Sequence, residues 1–259
     1  MIVPASAATE YAIETSGLTR RFGEFVAVDN VTLKIPKGQL YGFLGLNGAG
    51  KTTTIRLLTT LLPPSAGTAK LWGHDVVTEP LAVRKLVGLV SDETSESQSS
   101  WTAREYLSYF ARVRRLANPN EEVERILDDV GLAVKFRGKL ICTYSTGMKR
   151  RVEIARALMG NPKVLFLDEP TRGLDLPAKR DMWKLLRRLA ATENVTTFLS
   201  SHDAQEIRTL CSEISVIARG RLVHTGATRD MGGDIDAFEG RLVGMLTQSE
   251  SSESTGLHF

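Results

Sequence analysis

The 259 residues predict an α/β protein built on a parallel sheet, and three observations carry that expectation. Short apolar runs (Leu40-Tyr-Gly-Phe-Leu44, Val87-Gly-Leu-Val90 and Val164-Leu-Phe-Leu167) read as strands buried on both faces. Helix-like segments alternate with them, as in strand–helix–strand units. A Gly-rich stretch, Gly45-Leu-Asn-Gly48-Ala-Gly50-Lys51-Thr52, sits between the first of these strands and a helix. Composition sets the outer bounds. At 42% hydrophobic and 24% charged residues, wholesale disorder is excluded. The net charge of 33 − 30 = +3 makes no case for nucleic acid. Two cysteines, Cys142 and Cys211, cannot build a disulfide framework and suit a reducing cytoplasm. The apolar runs are far shorter than a membrane span, and the first residues make a poor signal peptide.

Taken in order, residues 1–10 read as a loose arm of Ala, Ser and Pro, and residues 11–247 as one domain. Residues 12–35 hold two strand-like runs with partial apolar alternation, as on a half-buried antiparallel sheet. Residues 51–62 read as the helix after the Gly-rich stretch, ended by Pro63 and Pro64. A strand is expected near 68–72. Residues from about 92 to 160 read as a helical insertion, with helices over 102–116 and 121–130. Strand, helix and strand resume at 164–167, 177–191 and 195–199. Beyond Gly226, residues Ile235, Phe238, Leu242 and Met245 or Leu246 fit one helix face. Residues 248–259, rich in Ser and Glu, read as a disordered tail.

The Gly-rich stretch fits G-x-x-x-x-G-K-[ST]. Glycines let backbone N–H groups turn inward around phosphate oxygens in conformations that a Cβ obstructs. Lys51 then reaches the β- and γ-phosphates, Thr52 offers its hydroxyl to Mg²⁺, and the next helix points its positive end at the anion. Asp168 and Glu169 end an apolar strand at its carboxyl edge, where open α/β sheets bind ligands. There one carboxylate can hold Mg²⁺ and its neighbour can polarise an attacking water. Other residues stay ambiguous on sequence alone. Phe22 is either a π-face for a base or a core aromatic. Ser145, Thr146 and Gly147 begin a helix that either binds an anion or is simply capped by Ser145. His202 follows a core strand and is either solvated or a γ-phosphate contact. The basic residues Lys149, Arg150, Arg151 and Arg156 read as a solvated face.

With these motifs in their order, the chain resembles the ATP-binding subunits of ABC transporters over roughly residues 11–226. Gly45, Asn47, Gly48, Ala49, Gly50, Lys51, Thr52 and Thr53 match the family's Walker A loop, and Phe22 its adenine-stacking aromatic. Tyr144-Ser-Thr-Gly-Met148 resembles the signature. Asp168 and Glu169 match Walker B with its catalytic glutamate, Arg172-Gly-Leu-Asp175 the D-loop, and His202 the switch histidine. The resemblance implies a P-loop NTPase fold: a RecA-like parallel core, an N-terminal antiparallel β subdomain and an inserted helical subdomain. It also implies ATP and Mg²⁺ as ligands and hydrolysis by Glu169 and His202, with Asp168 and Thr52 on the metal. Two copies would dimerise head to tail, each ATP lying between Walker A of one and the signature of the other. Separate transmembrane permease subunits are the implied partners, at the cytoplasmic side of a membrane, with no nucleic acid.

Two departures from the family pattern point to one branch. Asp92 and Glu93 stand where the Q-loop glutamine is expected, and Thr146 and Met148 replace a glycine and a glutamine of the signature. These forms resemble exporters with ABC-2-type membrane subunits, among them sodium-export ATPases of the NatA type. The alternatives are a soluble ATPase of the same family acting on DNA, ribosomes or cluster assembly, and a non-hydrolysing regulatory module. The absence of a second motif set and of long coiled-coil insertions argues against the first. The presence of Glu169 argues against the second.

Overall fold

The computed structural model describes residues 11–91, 100–192 and 195–254. The chain opens with two long strands, β1 (Tyr11–Phe22) and β2 (Phe25–Pro36), paired antiparallel through a tight turn. β3 (Leu40–Leu44) leads through the Gly-rich loop into α1 (Lys51–Leu58). β4 (Ala66–Leu71), the short β5 (His74–Asp75), α2 (Pro80–Leu86) and β6 (Val87–Val90) follow. The helical insertion then runs through α3 (Ala103–Val113), α4 (Pro119–Asp129), α5 (Val134–Arg137), a 3-10 turn (Ile141–Thr143) and α6 (Thr146–Leu158). β7 (Val164–Asp168), α7 (Leu176–Thr192), β8 (Thr196–Ser201), α8 (Ala204–Leu210), β9 (Glu213–Ala218), β10 (Arg221–Ala227) and α9 (Ile235–Ser254) complete the described chain.

Two sheets form. One is four-stranded, in the order β2-β1-β4-β5. The other is six-stranded, β10-β9-β3-β8-β7-β6, parallel except where β10 turns back along β9. Every residue of β3, β7 and β8 is buried, as both faces of a central parallel strand require. Side chains alternate between two cores. Leu44, Leu165, Leu167 and Leu199 face the helical insertion and α7–α9. Phe43, Phe166 and Phe198 face the antiparallel sheet and α1, with ring centroids 5.0 and 5.4 Å apart about Phe198. This sandwiched sheet delivers the ends of β3, β7 and β8 to one edge.

Three boundaries differ from the sequence expectation by more than two residues. α1 stops at Leu58, before Pro63. Thr60 takes φ 62°, and the amides of Leu61 and Leu62 turn back to the Arg56 carbonyl. The Thr59 hydroxyl bonds the carbonyl of Ile55, so a threonine pair, not proline, ends the helix. α3 is shorter at its C-terminus than 102–116, while its start is fixed by a reciprocal capping box between Thr102 and Glu105. α9 runs to Ser254, through most of the stretch expected to be a disordered tail. A helix whose first turns are anchored, here by buried Phe238 and Leu242, extends at little further cost. The expected N-terminal arm, residues 1–10, lies outside the described residues, as do Asp92 and Glu93.

Candidate functional site

β3, β8 and β7 end side by side, and the loops after β3 and β7, with Phe25 and Ala27 of β2 and Leu89 and Ser91 at the end of β6, line a cavity of about 580 Å³. The loop after β3 supplies its floor. Gly50 is the N-cap of α1 at φ 108°, and no side chain caps that helix, so its first amides are free for an anion. A Cβ on Gly50 would lie 2.5 Å from the Ala27 carbonyl, and one on Gly45 2.5 Å from the Ile217 carbonyl, so both positions need glycine for space. At Gly48, with φ 80° and nothing within 4 Å, conformation and not crowding makes the demand. Asn47, Gly48, Thr52 and Thr53 line the cavity. Ala49 is buried and holds the loop through its carbonyl, which accepts from the Gly220 amide.

Lys51 is 5% exposed. Its ammonium donates to the carbonyls of Gly45 and Leu46 at 2.8 and 3.0 Å and lies 3.1 Å from Glu169 Oε1. The cation is therefore held over the loop by two neutral acceptors and one carboxylate. Thr52 Oγ1 donates to Asp168 Oδ2 at 2.7 Å, and Ser200 Oγ donates to Asp168 Oδ1. A hydroxyl and a carboxylate oxygen thus stand together at the cavity, the hard donors that a divalent cation favours. Among the described residues no group of three His, Cys, Asp or Glu side chains is placed to hold a metal alone. A cation here would complete its shell with ligand oxygens and water, as Mg²⁺ does in phosphate sites.

Glu169 follows β7 with φ 48°, an uncommon conformation for a non-glycine residue and one that concentrates at functional sites. Its amide is held by the Ser200 carbonyl (3.1 Å) and hydroxyl (3.2 Å). This hold turns its carboxylate between Lys51 and His202, whose Nδ1 is 3.2 Å from Oε2. Arg172 Nε lies 3.9 Å from the same oxygen. Glu169 Oε2 is enclosed and, although His202 and Arg172 are near, makes no well-aligned hydrogen bond.

The structure thus unites the phosphate loop, Asp168, Glu169 and His202. It does not bring the other expected residues there. Ser145 caps α6, its hydroxyl accepting from the Met148 amide at 3.3 Å; Ser145 and Thr146 are exposed, and neither they nor Gly147 line the cavity. Phe22 is 46% exposed at the hairpin tip, with the Arg20 guanidinium 4.6 Å over its ring, and does not line the cavity. Its cross-strand partner Phe25 does. Ser200 was missed by sequence reasoning, and Arg172 was named only as the start of the D-loop. Ser200 carried a signal, since Ser200 and Ser201 are polar positions in a strand that is otherwise apolar at its centre and wholly buried.

A family profile described as ABC transporter matches residues 28–172. The daunorubicin/doxorubicin resistance ATP-binding protein DrrA of Streptomyces peucetius is 40% identical over 222 residues, covering 85% of this chain and 66% of that protein. The bacitracin transport ATP-binding protein BcrA of Bacillus licheniformis is 37% identical over 211 residues, 82% of this chain and 68% of that one. The chain therefore spans about two thirds of the length of these relatives. Among solved structures, cbiO1 from Clostridium perfringens, part of the ABC transporter complex cbiONQ, superposes with TM-score 0.80 at 25% identity, covering 91% of this chain and 93% of that one. The ATP-binding cassette MJ0796, solved as a dimer in a post-hydrolysis state with ADP and Pi, superposes with TM-score 0.74 at 24% identity over 84% and 99%. That second likeness carries the fold alone.

Proposed function

The chain belongs to the ABC transporter family as its ATP-binding, ATP-hydrolysing component, and from that premise we propose how its site works and what it serves. One observation carries the proposal. The phosphate loop, Asp168 and Glu169 line one cavity and His202 stands behind it against Glu169, while Ser145, Thr146 and Gly147 touch neither. A second copy, docked head to tail, supplies its signature helix N-terminus to the open side of the nucleotide.

In this reading the loop amides and Lys51 bind the β- and γ-phosphates, and the hairpin tip at Phe22 and Phe25 offers aromatic faces to the base. Thr52 and Asp168 hold Mg²⁺, which when bound offsets the charge of the phosphate oxygens. Lys51 leaves Glu169 for the phosphates. The freed carboxylate accepts a proton from a water as that water's oxygen bonds the γ-phosphorus; the bond to the β–γ bridging oxygen breaks, and ADP departs. His202 donates a hydrogen bond to the γ-phosphoryl oxygens. Closure of the dimer by ATP and its release by hydrolysis drive the membrane subunits.

Among the described residues no helix is long and apolar enough to cross a membrane. We place the protein peripherally, on the cytoplasmic face, docked on separate permease subunits. The names of DrrA and BcrA favour an antibiotic-like solute over sodium as the exported substrate. Reconstitution with its membrane subunits in vesicles tests this. ATP-dependent efflux of such a solute, lost with Lys51→Ala, is expected; sodium-driven stimulation of the ATPase without drug efflux would contradict the substrate class.

A further inference from the structure

Glu206, in the first turn of α8, is 1% exposed and belongs to none of the motifs above. Its Oε1 accepts from Thr171 Oγ1 at 2.7 Å and from Trp183 Nε1 at 3.0 Å, and its Oε2 from Ser201 Oγ at 2.6 Å. Thr171 lies two residues after Glu169, and Ser201 immediately precedes His202. Ser201 is tied further. Its hydroxyl accepts from the Asp203 amide at 3.0 Å, and its carbonyl accepts from the Gly45 amide at 3.2 Å. The Glu206 main chain is fixed as well, its amide donating to Asp203 Oδ1 at 2.9 Å. One enclosed carboxylate therefore grips both segments that carry the reacting groups, and one of those segments grips the phosphate loop.

We propose that Glu206 is a positioning residue for ATP hydrolysis: it sets the Glu169 loop against the His202 loop by accepting from Thr171 and Ser201 at the same time. The inference rests on the reading of Glu169 as the proton acceptor and His202 as the phosphate contact. Its physical basis is the cost of an unsatisfied buried carboxylate. If either loop slides by an ångström, one of the short bonds is lost and a burial penalty appears, so the pair of loops is held in a single register. Only an acceptor with two oxygens serves all three donors, because the Trp183 N–H can only donate and each hydroxyl presents its proton inward. Misplacing reacting groups by about 1 Å costs on the order of 100-fold in rate, so small slippage is enough to matter.

The test compares steady-state ATPase and ATP affinity of the full chain carrying Glu206→Ala, Glu206→Gln and Glu169→Gln, with thermal melts to establish folding. For Glu206→Ala we expect kcat to fall by about 10–100-fold while KM and ATP affinity stay within about twofold, since the phosphate loop keeps its own contacts. Glu206→Gln should recover part of the loss, because its amide oxygen still serves one pair of donors. A folded Glu206→Ala protein with kcat within about twofold of wild type, or with KM and kcat damaged in parallel, overturns the proposal. Should Glu206→Ala fail to fold, Ser201→Ala decides. A fall in kcat of about fivefold or more at unchanged KM supports the proposal, and a smaller change overturns it. Glu169→Gln separates the two levels. If it stays active, the reading of Glu169 and the positioning built on it both fall; if it is inactive while Glu206→Ala is near wild type, the positioning alone falls.

Discussion

Replacing Glu169 by Gln alters both halves of the reaction, in opposite directions. The amide keeps the shape of the side chain but cannot accept the proton of the attacking water, and general-base catalysis supplies about 10²–10⁴-fold. At 1.36 kcal/mol per tenfold, the barrier should rise by about 3–5 kcal/mol. Binding moves the other way. Lys51 and Glu169 are 5% and 11% exposed and 3.1 Å apart, so ATP must take the ammonium from a nearly buried partner. A charged hydrogen bond of that kind contributes about 1.5–3 kcal/mol; the amide oxygen of Gln can still accept from Lys51 but carries no charge, so the ammonium is held less firmly beside the Gly45 and Leu46 carbonyls. ATP should therefore bind more tightly to the variant, by up to about tenfold. Titration with a fluorescent ATP analogue and single-turnover hydrolysis measure the two effects separately. Turnover within about tenfold of wild type, or weaker binding, would refute the role of the carboxylate.

Glycine chemistry in the phosphate loop separates two kinds of damage. Gly48→Ala, at φ 80° with nothing within 4 Å, should fold with a loss of about 1–2 kcal/mol yet bind ATP poorly, because its methyl enters the phosphate cradle. Gly50→Ala brings a Cβ to 2.5 Å from the Ala27 carbonyl and should be the less stable of the two in thermal melts. Tyr41 gives a pH signature in the fold itself. Its hydroxyl meets Ser215 Oγ at 2.6 Å, and burial pushes its phenol from 10.0 up to about 12. Because the folded value lies above the unfolded one, the stability it contributes is complete below pH 10 and is lost as pH rises to about 12, roughly 3 kcal/mol in all. Denaturant melts from neutral to alkaline pH should show that slope in wild type and a flatter one in Tyr41→Phe.

Sequence made the parallel core legible because β3, β6 and β7 are uninterrupted apolar runs, a local pattern that burial on both faces imposes. The phosphate loop, Asp168 and Glu169 stood out for a related reason, each directly at the end of such a strand, whereas His202 follows a strand rich in Thr and Ser and was singled out through the family resemblance. What escaped depends on contacts between segments far apart in the chain. Ser200 acts on Asp168 and Glu169 across a strand pairing, and Glu206 joins Thr171 to Ser201 over 35 and 5 residues. Phe22 lay in a recognisable strand end, yet it is its cross-strand partner Phe25 that lines the cavity, a choice made by hairpin pairing. Helix ends erred where hydroxyls compete for backbone carbonyls, as at Thr59.

In the proposed cycle one chain holds half a hydrolytic site and a second copy completes it. Sedimentation velocity of the Glu169→Gln protein with Mg²⁺ and ATP tests it most directly, because blocked turnover lets the ATP-bound species accumulate. A dimer that forms with ATP, dissociates with ADP and is abolished by Ser145→Arg is the predicted result. A protein that remains monomeric with saturating ATP, while the wild-type monomer hydrolyses ATP at an undiminished rate on dilution, would contradict it.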